Sequence, residues 1–455
     1  MLGEIKRIHF IGVGGAGMNG LAEIFINLGY KVSGSDMKQS ENTDRIKSLG
    51  GKILIGHDAK NVKGAQIAVY SNAVPDTNPE VMKAREMKIP VIPRAVMLDE
   101  VMRLKYGIAI AGSHGKTTTT SMTAGIFEEA KLHPTYIVGG IVKAGGVHAK
   151  AGKGRYVIAE ACEAFGSFLH LNPVIAAVTN IDNDHMDYYK KMDALKDAFV
   201  TFINKVPFYG VAYLNGDDEN VRSILDRIHC RRVMFGEGAH NDVRVSNIKA
   251  KGFSQSFDVT VSGRKAGVFT IPVPGRHNVL NALAAVAISL DSGIKPAVIK
   301  KALAKFRNVK RRFDVYHAGG VTIIDDYAHH PVEIEKVLKA ARTISGRKKI
   351  TAVFQPHLYS RTQQLYKEFA AALSLADSVV IDRLYPSREA AVPGVSSALI
   401  TDTMKSNGYK NVYQEKSWED MALRVKSLVK KGGLVILMGA GNITNFRKDL
   451  EKELS

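Results

Sequence analysis

The sequence is short of cysteine, of acidic residues and of long apolar runs. Two cysteines in 455 residues, Cys162 and Cys230, cannot build a framework of several disulfides, which favours a reducing compartment. No apolar run reaches the length of a membrane-spanning helix, and the run at residues 8–13 enters a glycine loop too early for a signal peptide. These absences argue against a disulfide-rich secreted protein and an integral membrane protein, and they predict a cytoplasmic location.

Basic residues exceed acidic ones, with 63 Lys and Arg against 44 Asp and Glu and a net charge of +19. Such an excess favours anionic partners. The basic residues are scattered, however, and no run of them alternates with aromatic residues, so nucleic acid is not expected. Phosphorylated metabolites remain as partners, while a solvated basic surface explains most of the charge. The length predicts two to four domains, and there are no internal repeats or low-complexity segments.

The stretch Ile110-Ala-Gly-Ser-His-Gly-Lys-Thr-Thr-Thr-Thr120 carries the clearest chemical signal. It joins a predicted buried strand at residues 106–111 to a predicted helix. Glycines in such a turn let backbone N–H groups face a phosphate, Lys116 adds a positive charge, and Thr117 can hold Mg²⁺. The spacing is shorter than that of the common P-loop, which would need a glycine at Ile110. The alternative interpretation is a glycine-rich turn that only starts a helix.

A second glycine motif, Gly12-x-Gly14-x-x-Gly17, lies between a predicted strand and a predicted helix, and the next strand, at residues 31–36, ends in Asp36. This is the dinucleotide-binding fingerprint, with an acid about 20 residues further on. NAD, FAD and a nucleotide-sugar diphosphate all carry the pyrophosphate that such a loop binds. The motif predicts a Rossmann-like unit that binds a diphosphate and leaves the identity of the ligand open.

Acidic and histidine side chains follow predicted strands in the middle of the chain, where parallel sheets collect ligand-binding groups. Glu160 ends one strand and Glu163 follows it, either as a Mg²⁺ ligand or as an acid that caps the next helix. His185 lies in an acid-rich loop after the next strand, as a second metal ligand or a structural histidine. Period-two alternation at residues 243–274 predicts a small antiparallel excursion. Asn278 either reads a base edge or caps a helix.

A third strand–helix unit follows the basic residues at 310–312. One strand ends in Asp325-Asp326, and Tyr327-Ala-His-His-Pro331 leads into a helix with Pro in its first turn. An acid with two histidines could be a metal site, but the pattern fixes no ligand geometry. The chain therefore predicts an α/β protein of three domains. They are a Rossmann-like domain at 1–105, a P-loop-type ATPase domain at 106–313, with a mainly parallel sheet, and a Rossmann-like domain at 314–455.

Taken in order, these motifs resemble the ATP-dependent Mur ligases of peptidoglycan synthesis across nearly the whole chain. The set comprises Gly12-Val-Gly-Gly-Ala-Gly-Met18, Gly112-Ser-His-Gly-Lys-Thr-Thr-Thr-Thr120, Asn180 with Asp184-His-Met-Asp187, Gly275-Arg-His-Asn-Val-Leu-Asn281, Arg311-Arg-Phe313, Asp325-Asp-Tyr-Ala-His-His-Pro331, Phe354-Gln-Pro-His357 and Gly439-Ala-Gly441. The resemblance implies a first domain for a UDP-sugar, a central ATPase and a C-terminal domain that closes over the site. It also implies the substrates UDP-N-acetylmuramate, L-alanine and ATP, and the cofactor Mg²⁺ as two ions.

The implied reaction is a two-step amide synthesis. The γ-phosphate of ATP is transferred to the lactyl carboxylate of UDP-N-acetylmuramate, and the amine of L-alanine attacks the resulting acyl phosphate. Phosphoryl transfer needs positioning and charge neutralisation, and acyl transfer needs cations near the developing oxyanion. The resemblance therefore predicts an enzyme that forms a carbon–nitrogen bond, with an oligomeric state that the motifs leave open.

The resemblance also assigns the site residues. The predicted catalytic residues are Lys116, His185, His330 and Arg361. The predicted ATP-binding residues are Gly112, Ser113, His114, Gly115, Lys116, Thr117, Thr118, Asn278, Asn281, Arg312 and Asp326. The UDP-sugar is assigned to Gly14, Gly15, Gly17, Asp36 and Ser71. The amino acid is assigned to Tyr327, His330 and Arg361, and the metal ligands are Thr117, Glu160 and His185.

Three stretches depart from the family pattern. Glu-Ala-Asp-Glu-Ser-Asp is replaced by Glu160-Ala-Cys-Glu-Ala-Phe165, which leaves open which glutamate meets the metal. Leu358 stands where an Arg is usual, so a bidentate carboxylate clamp is lost and the acceptor is open. Asn442 stands where an acid is usual. The alternatives are a peptidoglycan-recycling ligase that adds a tripeptide, an NAD-binding dehydrogenase, and a UDP-sugar sensor. The intact Lys116, Glu160, His185 and Asp326 argue against the sensor.

Overall fold

The computed structural model of the chain describes residues 4–71, 73–142, 147–387 and 389–455. Over these residues the protein is α/β and contains three mostly parallel β-sheets, as the sequence predicts. Within the same residues, every helix is too short or too polar to cross a membrane.

The first sheet has the strand order β3-β2-β1-β4-β5, and its neighbouring strands are parallel. The strand order reverses at β1, since β2 and β3 lie on one side of it and β4 and β5 on the other. The crevice at the carboxyl end of β1 is therefore the ligand position expected for a doubly wound sheet. The elements are β1 (Arg7–Ile11), α1 (Ala16–Asn27), β2 (Lys31–Asp36), α2 (Glu41–Ser48), β3 (Lys52–Ile55), β4 (Ile67–Tyr70), α3 (Pro79–Glu86), β5 (Val91–Pro93) and α4 (Arg94–Arg103).

The second sheet has the order β15-β14-β13-β12-β11-β10-β6-β9-β7-β8, which places β6 between β9 and β10. The strands at residues 243–271 extend this sheet where the excursion was predicted. The elements are β6 (Tyr106–Ala111), α5 (Lys116–Glu129), β7 (Thr135–Val142), β8 (Val147–Lys150), β9 (Tyr156–Glu160), β10 (Ile175–Val178), α6 (Met186–Tyr189), α7 (Met192–Ile203), β11 (Val211–Asn215), α8 (Glu219–Arg222), β12 (Arg232–Gly236), β13 (Val243–Lys251), β14 (Ser254–Val261), β15 (Arg264–Ile271), α9 (Arg276–Asp291) and α10 (Pro296–Ala304).

The third sheet has the order β16-β17-β21-β18-β19-β20, with β16 antiparallel to β17 and the other pairs parallel. The elements are β16 (Asp314–Ala318), β17 (Val321–Asp326), α11 (Pro331–Ser345), β18 (Ile350–Phe354), α12 (Tyr359–Leu373), β19 (Ser378–Ile381), α13 (Ala398–Ser406), β20 (Val412–Gln414), α14 (Trp418–Leu428), β21 (Leu434–Met438) and α15 (Ile443–Leu454).

The strands β10 and β21 are apolar throughout, as expected where helices cover both faces of a parallel sheet. Every residue of β10 and of β21 is buried. The covering helices are amphipathic instead, and α11 buries Ile334, Val337 and Leu338, which lie at helical spacing on one face.

The chain divides into two compact units. The first comprises Met1–Ile248, Ser256–Ile271 and Leu280–Arg307, and the second comprises Lys249–Gln255, Pro272–Val279 and Asn308–Ser455. In the first unit, apolar side chains of the first and second sheets join one hydrophobic core. The three domain bounds expected from the sequence stay a prediction.

Candidate active site

Two glycines of the phosphate loop occupy positions that no larger residue can take. Gly112 and Gly115 have φ values of +128° and +86°, in the region that side chains avoid. A Cβ atom at Gly112 would lie 2.1 Å from the hydroxyl oxygen of Thr179, and one at Gly115 would lie 2.3 Å from the amide oxygen of Asn281. The loop is therefore packed directly against the end of β10 and the first turns of α9.

Residues that follow β10 hold the loop through its backbone. The N–H of His114 donates to the side-chain oxygen of Asn180 at 2.8 Å, and the Asn180 amide donates back to the His114 carbonyl at 2.9 Å. The Thr179 hydroxyl donates to the same carbonyl at 2.6 Å. Neither Thr179 nor Asn180 has a role predicted from the sequence, although both are polar residues directly after a buried strand. Since α5 begins at Lys116, the N–H groups of its first turn are left for an anion.

Lys116 is paired with a buried carboxylate. Its Nζ lies 2.9 and 2.8 Å from the two carboxylate oxygens of Glu163, a residue that is 0% exposed. Burial lowers the pKa of the Lys116 ammonium, but the negative charge of Glu163, with smaller contributions from Cys162 and Glu160, outweighs it and raises the pKa. Lys116 is therefore a permanent cation at the start of α5, where a phosphate would meet it.

Glu160, the other glutamate of this stretch, is hydrogen-bonded to Thr117, the residue after Lys116. The Thr117 hydroxyl donates to Glu160 Oε2 at 2.9 Å, and the N–H of Gly139 donates to the same oxygen at 2.9 Å. Thr117 and Glu160, two of the predicted metal ligands, are thus adjacent. A hydroxyl and a carboxylate beside a phosphate loop form a donor set that suits Mg²⁺.

His185, the third predicted metal ligand, lies in a different group. Its Nε2 is 3.8 Å from Glu163 Oε1 and 3.7 Å from Asp184 Oδ2. One ligand atom from each of Glu163, Asp184 and His185 falls within 4.8 Å of the others. His185 has a φ of +56°, an uncommon backbone conformation that directs it from the start of α6. The predicted metal ligands therefore fall into two groups of side chains, Thr117 with Glu160 in one and His185 with Glu163 in the other.

In the first sheet, the residues predicted to bind the UDP-sugar lie at one edge, around the glycine loop at residues 12–17, which we call the diphosphate loop. The N–H of Gly14 donates to Asp36 Oδ2 at 2.8 Å, so Asp36, which is predicted to bind the nucleotide, contacts the loop directly. A Cβ atom at Gly17 would lie 2.8 Å from a guanidinium nitrogen of Arg94. Gly15 and Ser71 also lie at this edge, since the Gly15 N–H donates to Gly12 and the Ser71 N–H donates to the last residue of β1.

The two asparagines among the predicted ATP-binding residues, Asn278 and Asn281, differ in their surroundings. Asn281 lies against Gly115 of the phosphate loop. Asn278 belongs to the second unit, where its amide donates to the Pro274 carbonyl at 2.7 Å. Asn278 is the third residue of α9 and its side chain donates to a carbonyl, so this contact is not that of an N-cap, whose side-chain oxygen accepts an N–H group. Its role at a base edge stays a prediction.

In the second unit, Asp326 ends β17 as a buried acceptor. Its carboxylate accepts the N–H groups of Phe313 and Ala328 at 2.7 and 2.8 Å. Burial raises the pKa of Asp326 to about 6, against the opposing charge of Arg312. The guanidinium of Arg312 lies over the ring of Tyr327, 5.3 Å from its centroid. The predicted nucleotide residues of this unit are thus neighbours.

The predicted amino-acid residues flank β21 on both sides. Tyr327 and His330 follow β17, and Arg361 lies in the first turn of α12, after β18; both strands pair with β21. Leu358, which stands in place of the usual arginine, is buried and has a φ of +72°. Asn442, the other departure, accepts a hydrogen bond from the Gln355 amide at 2.8 Å.

The substitution Gly115→Ala is expected to destabilise the protein by about 1–3 kcal/mol, because the new methyl group meets Asn281 at a positive φ. Gly125→Ala is the matched control on α5, since a Cβ atom there meets no described atom within 4 Å. That change should stabilise the helix by about 0.5–1 kcal/mol. Thermal unfolding of both variants measures the difference, and equal melting temperatures would contradict the loop geometry.

Three family models match this chain in succession. They are the Mur ligase family, catalytic domain, over residues 7–106, the Mur ligase middle domain over residues 110–289, and the Mur ligase, glutamate ligase domain, over residues 311–441. Together they span all three sheets.

Relatives of full length are similar as well. The UDP-N-acetylmuramate–L-alanine ligase of Trichlorobacter lovleyi is 45% identical over 456 residues, and the alignment covers 100% of this chain and 100% of that protein. The protein of that name from Anaeromyxobacter dehalogenans is 48% identical, over 96% of this chain and 95% of its own. The crystal structure of the UDP-N-acetylmuramate–alanine ligase of Thermotoga maritima is similar with a TM-score of 0.82, at 29% identity and 98% coverage of both chains.

Proposed function

The chain belongs to the Mur ligase family, and we propose that it joins L-alanine to the lactyl carboxylate of UDP-N-acetylmuramate in the synthesis of peptidoglycan precursors. It is an ATP-dependent ligase that forms an amide bond. The observation that carries the choice of substrates is the match, over the whole chain, to relatives that bear the name of this reaction. The geometry of the phosphate loop supports the use of ATP.

In the first step, the lactyl carboxylate attacks the γ-phosphorus of ATP, the bond to the β-phosphate oxygen breaks, and ADP leaves. The N–H groups at the start of α5 and the ammonium of Lys116 neutralise charge on the transferred group, which is the main requirement of phosphoryl transfer. The Lys116 ammonium is held by Glu163, so its position does not depend on the phosphate. When bound, Mg²⁺ would add further positive charge at the phosphates. Thr117 and Glu160 would hold one ion, and His185, in the group with Glu163 and Asp184, would hold a second.

The nucleotide ends of the two substrates are assigned by chemistry. Gly14, Gly15 and Gly17 bring backbone close to the UDP diphosphate, and Asp36 lies beside them. The carboxylate of Asp326 accepts hydrogen bonds from the ribose hydroxyls of ATP, and the guanidinium of Arg312 contacts a phosphate of ATP. Ser71, at the end of β4, completes the residues assigned to the UDP-sugar.

In the second step, the amine of L-alanine attacks the acyl phosphate, and phosphate leaves. Arg361 supplies a cation for the amino acid's carboxylate, with Tyr327 and His330 beside it. Because Leu358 removes a second arginine, the pocket has one guanidinium fewer than the family pattern. This loss bears on the acceptor and leaves the chemistry of the phosphoryl step unchanged.

The test is phosphate release from ATP with UDP-N-acetylmuramate and Mg²⁺, run over a panel of acceptors. L-alanine is expected to stimulate release most strongly, and glycine, L-serine and a muramyl-type tripeptide are the comparison acceptors. Stronger stimulation by the tripeptide would assign the chain to the recycling reaction. Nicotinamide binding without ATP turnover would contradict the ligase altogether.

A further inference from the structure

A buried carboxylate lies under the carboxyl edge of the first sheet, outside all the residues assigned above. Glu80 is in the first turn of α3 and is 0% exposed. Burial raises the pKa of such a group, but hydrogen bonds from His9, Ser35 and Asn61 outweigh burial and lower the pKa of Glu80 to about 2. Glu80 is therefore ionised at neutral pH.

Five polar groups from three parts of the chain lie against this one side chain; the first four are hydrogen-bonded to it, and the fifth is an ion-pair contact. They are Ser35 Oγ at 2.5 Å, Asn61 Nδ2 at 2.7 Å, the Asp58 N–H at 3.2 Å, His9 Nε2 at 3.2 Å and His57 Nδ1 at 3.4 Å. The donors come from β1, from β2 and from the segment that follows β3. Glu80 thus ties β1, β2 and the segment after β3 to the start of α3.

The surroundings of this carboxylate are otherwise apolar. Ile11, Val62, Ala68, Val81 and Ala84 form a small core between the first sheet and α3. A buried ionic network is weak evidence for added stability, because removing charges from water costs about as much as their pairing returns. A role in fixing positions explains this network better than a role in stability.

The position that Glu80 fixes is that of the diphosphate loop. Ser35, whose hydroxyl donates to Glu80, uses its carbonyl oxygen to accept the N–H groups of Gly12 and Val13 at 2.8 and 2.9 Å. The next residue, Asp36, accepts the N–H of Gly14 and, through its carbonyl, the N–H of Gly56 at 2.8 Å. One side-chain contact therefore controls the residue on which the glycine loop rests.

We propose that Glu80 is a positioning residue for the nucleotide-sugar site: by anchoring Ser35 and the segment at residues 57–61, it sets the loop that receives the diphosphate. Glu80 acts on affinity for UDP-N-acetylmuramate without touching this substrate. The inference rests on the proposed function for the identity of the ligand, whereas the anchoring geometry does not depend on it.

The substitution Glu80→Gln keeps the shape of the side chain but turns one acceptor oxygen into a donor that faces other donors. We expect the KM for UDP-N-acetylmuramate to rise about tenfold, which corresponds to about 1.4 kcal/mol. The KM values for ATP and L-alanine, and kcat, should stay within about twofold. Glu86→Gln is the matched control, because Glu86 ends the same helix on the surface, paired with Lys83, and should leave all four values unchanged.

A second variant keeps the test decisive if Glu80→Gln does not fold. Ser35→Ala removes one donor and leaves the carboxylate, and it should raise the same KM by about threefold to fivefold. Calorimetric titration with UDP, without ATP, checks binding directly in each variant that keeps the wild-type circular dichroism spectrum. Unchanged UDP affinity in the folded variants, or an equal loss for all three substrates, would overturn the positioning role. A wild-type protein that binds UDP but lacks ligase turnover would instead refute the proposed function.

Discussion

Replacing Lys116 by methionine is expected to lower kcat about a thousandfold while UDP-N-acetylmuramate binds with unchanged affinity. Methionine keeps the length of the side chain and removes its charge. The transferred phosphoryl group then loses the one side-chain cation that starts α5, and a preorganised charge at this point is worth several kcal/mol in the transition state. The UDP-sugar loop belongs to a separate sheet, so its affinity should not change.

The Lys116 variant has a second, structural consequence that must be separated from the chemical one. Without its ammonium, the fully buried Glu163 carboxylate is left without its ion-pair partner, at a cost of about 3–5 kcal/mol. The double variant Lys116→Met with Glu163→Gln removes both charges and should recover most of the melting temperature. It should not recover turnover.

Two measurements on both variants test this prediction. Single-turnover phosphate release measures the chemical step, and titration with UDP-N-acetylmuramate measures its affinity. Recovery of turnover in the double variant would show that Lys116 serves only to neutralise Glu163. Near-normal turnover in the single variant would overturn the assignment of the phosphate loop. Loss of UDP-sugar affinity along with turnover would indicate that the protein has unfolded, which the melting curve reports independently.

The sequence predicted the strands that end in functional residues better than it predicted the contacts between them. The bounds predicted for β2 and β6 coincide with those in the structure. For β6 the reason is that a buried parallel strand is an apolar run that ends at a polar turn, whereas β2 is largely polar and was located by its place after the glycine fingerprint and by the acid that ends it. Glycine spacing likewise located both loops. These signals are local, within about a dozen residues.

The pairing of Lys116 with Glu163 was not predictable in the same way. The two residues are 47 positions apart, and sequence alone placed both Glu160 and Glu163 at the same edge without deciding their partners. The network around Glu80 is a stronger case, since its donors lie between 19 and 71 positions away and form no motif. Contacts of this kind depend on strand order and register, which local patterns do not encode.

Glu160 and Glu163 are the two candidate glutamate ligands of the metal, and a pair of glutamine variants decides between them. We expect Glu160→Gln to raise the free Mg²⁺ concentration for half-maximal activity about a hundredfold, with little change in melting temperature. Glu160 accepts its hydrogen bonds from neutral groups of Thr117 and Gly139, so its negative charge is available to a cation.

Glu163→Gln should behave differently because the charge of Glu163 is already matched by Lys116. We expect a lower melting temperature, from the loss of the buried pair, and a smaller change in the Mg²⁺ requirement. Magnesium titrations of phosphate release, with His185→Ala alongside, measure the order of effects. If Glu163→Gln and His185→Ala shift the Mg²⁺ requirement together and Glu160→Gln does not, the ion belongs to the group formed by Glu163, Asp184 and His185, and Glu160 only orients Thr117.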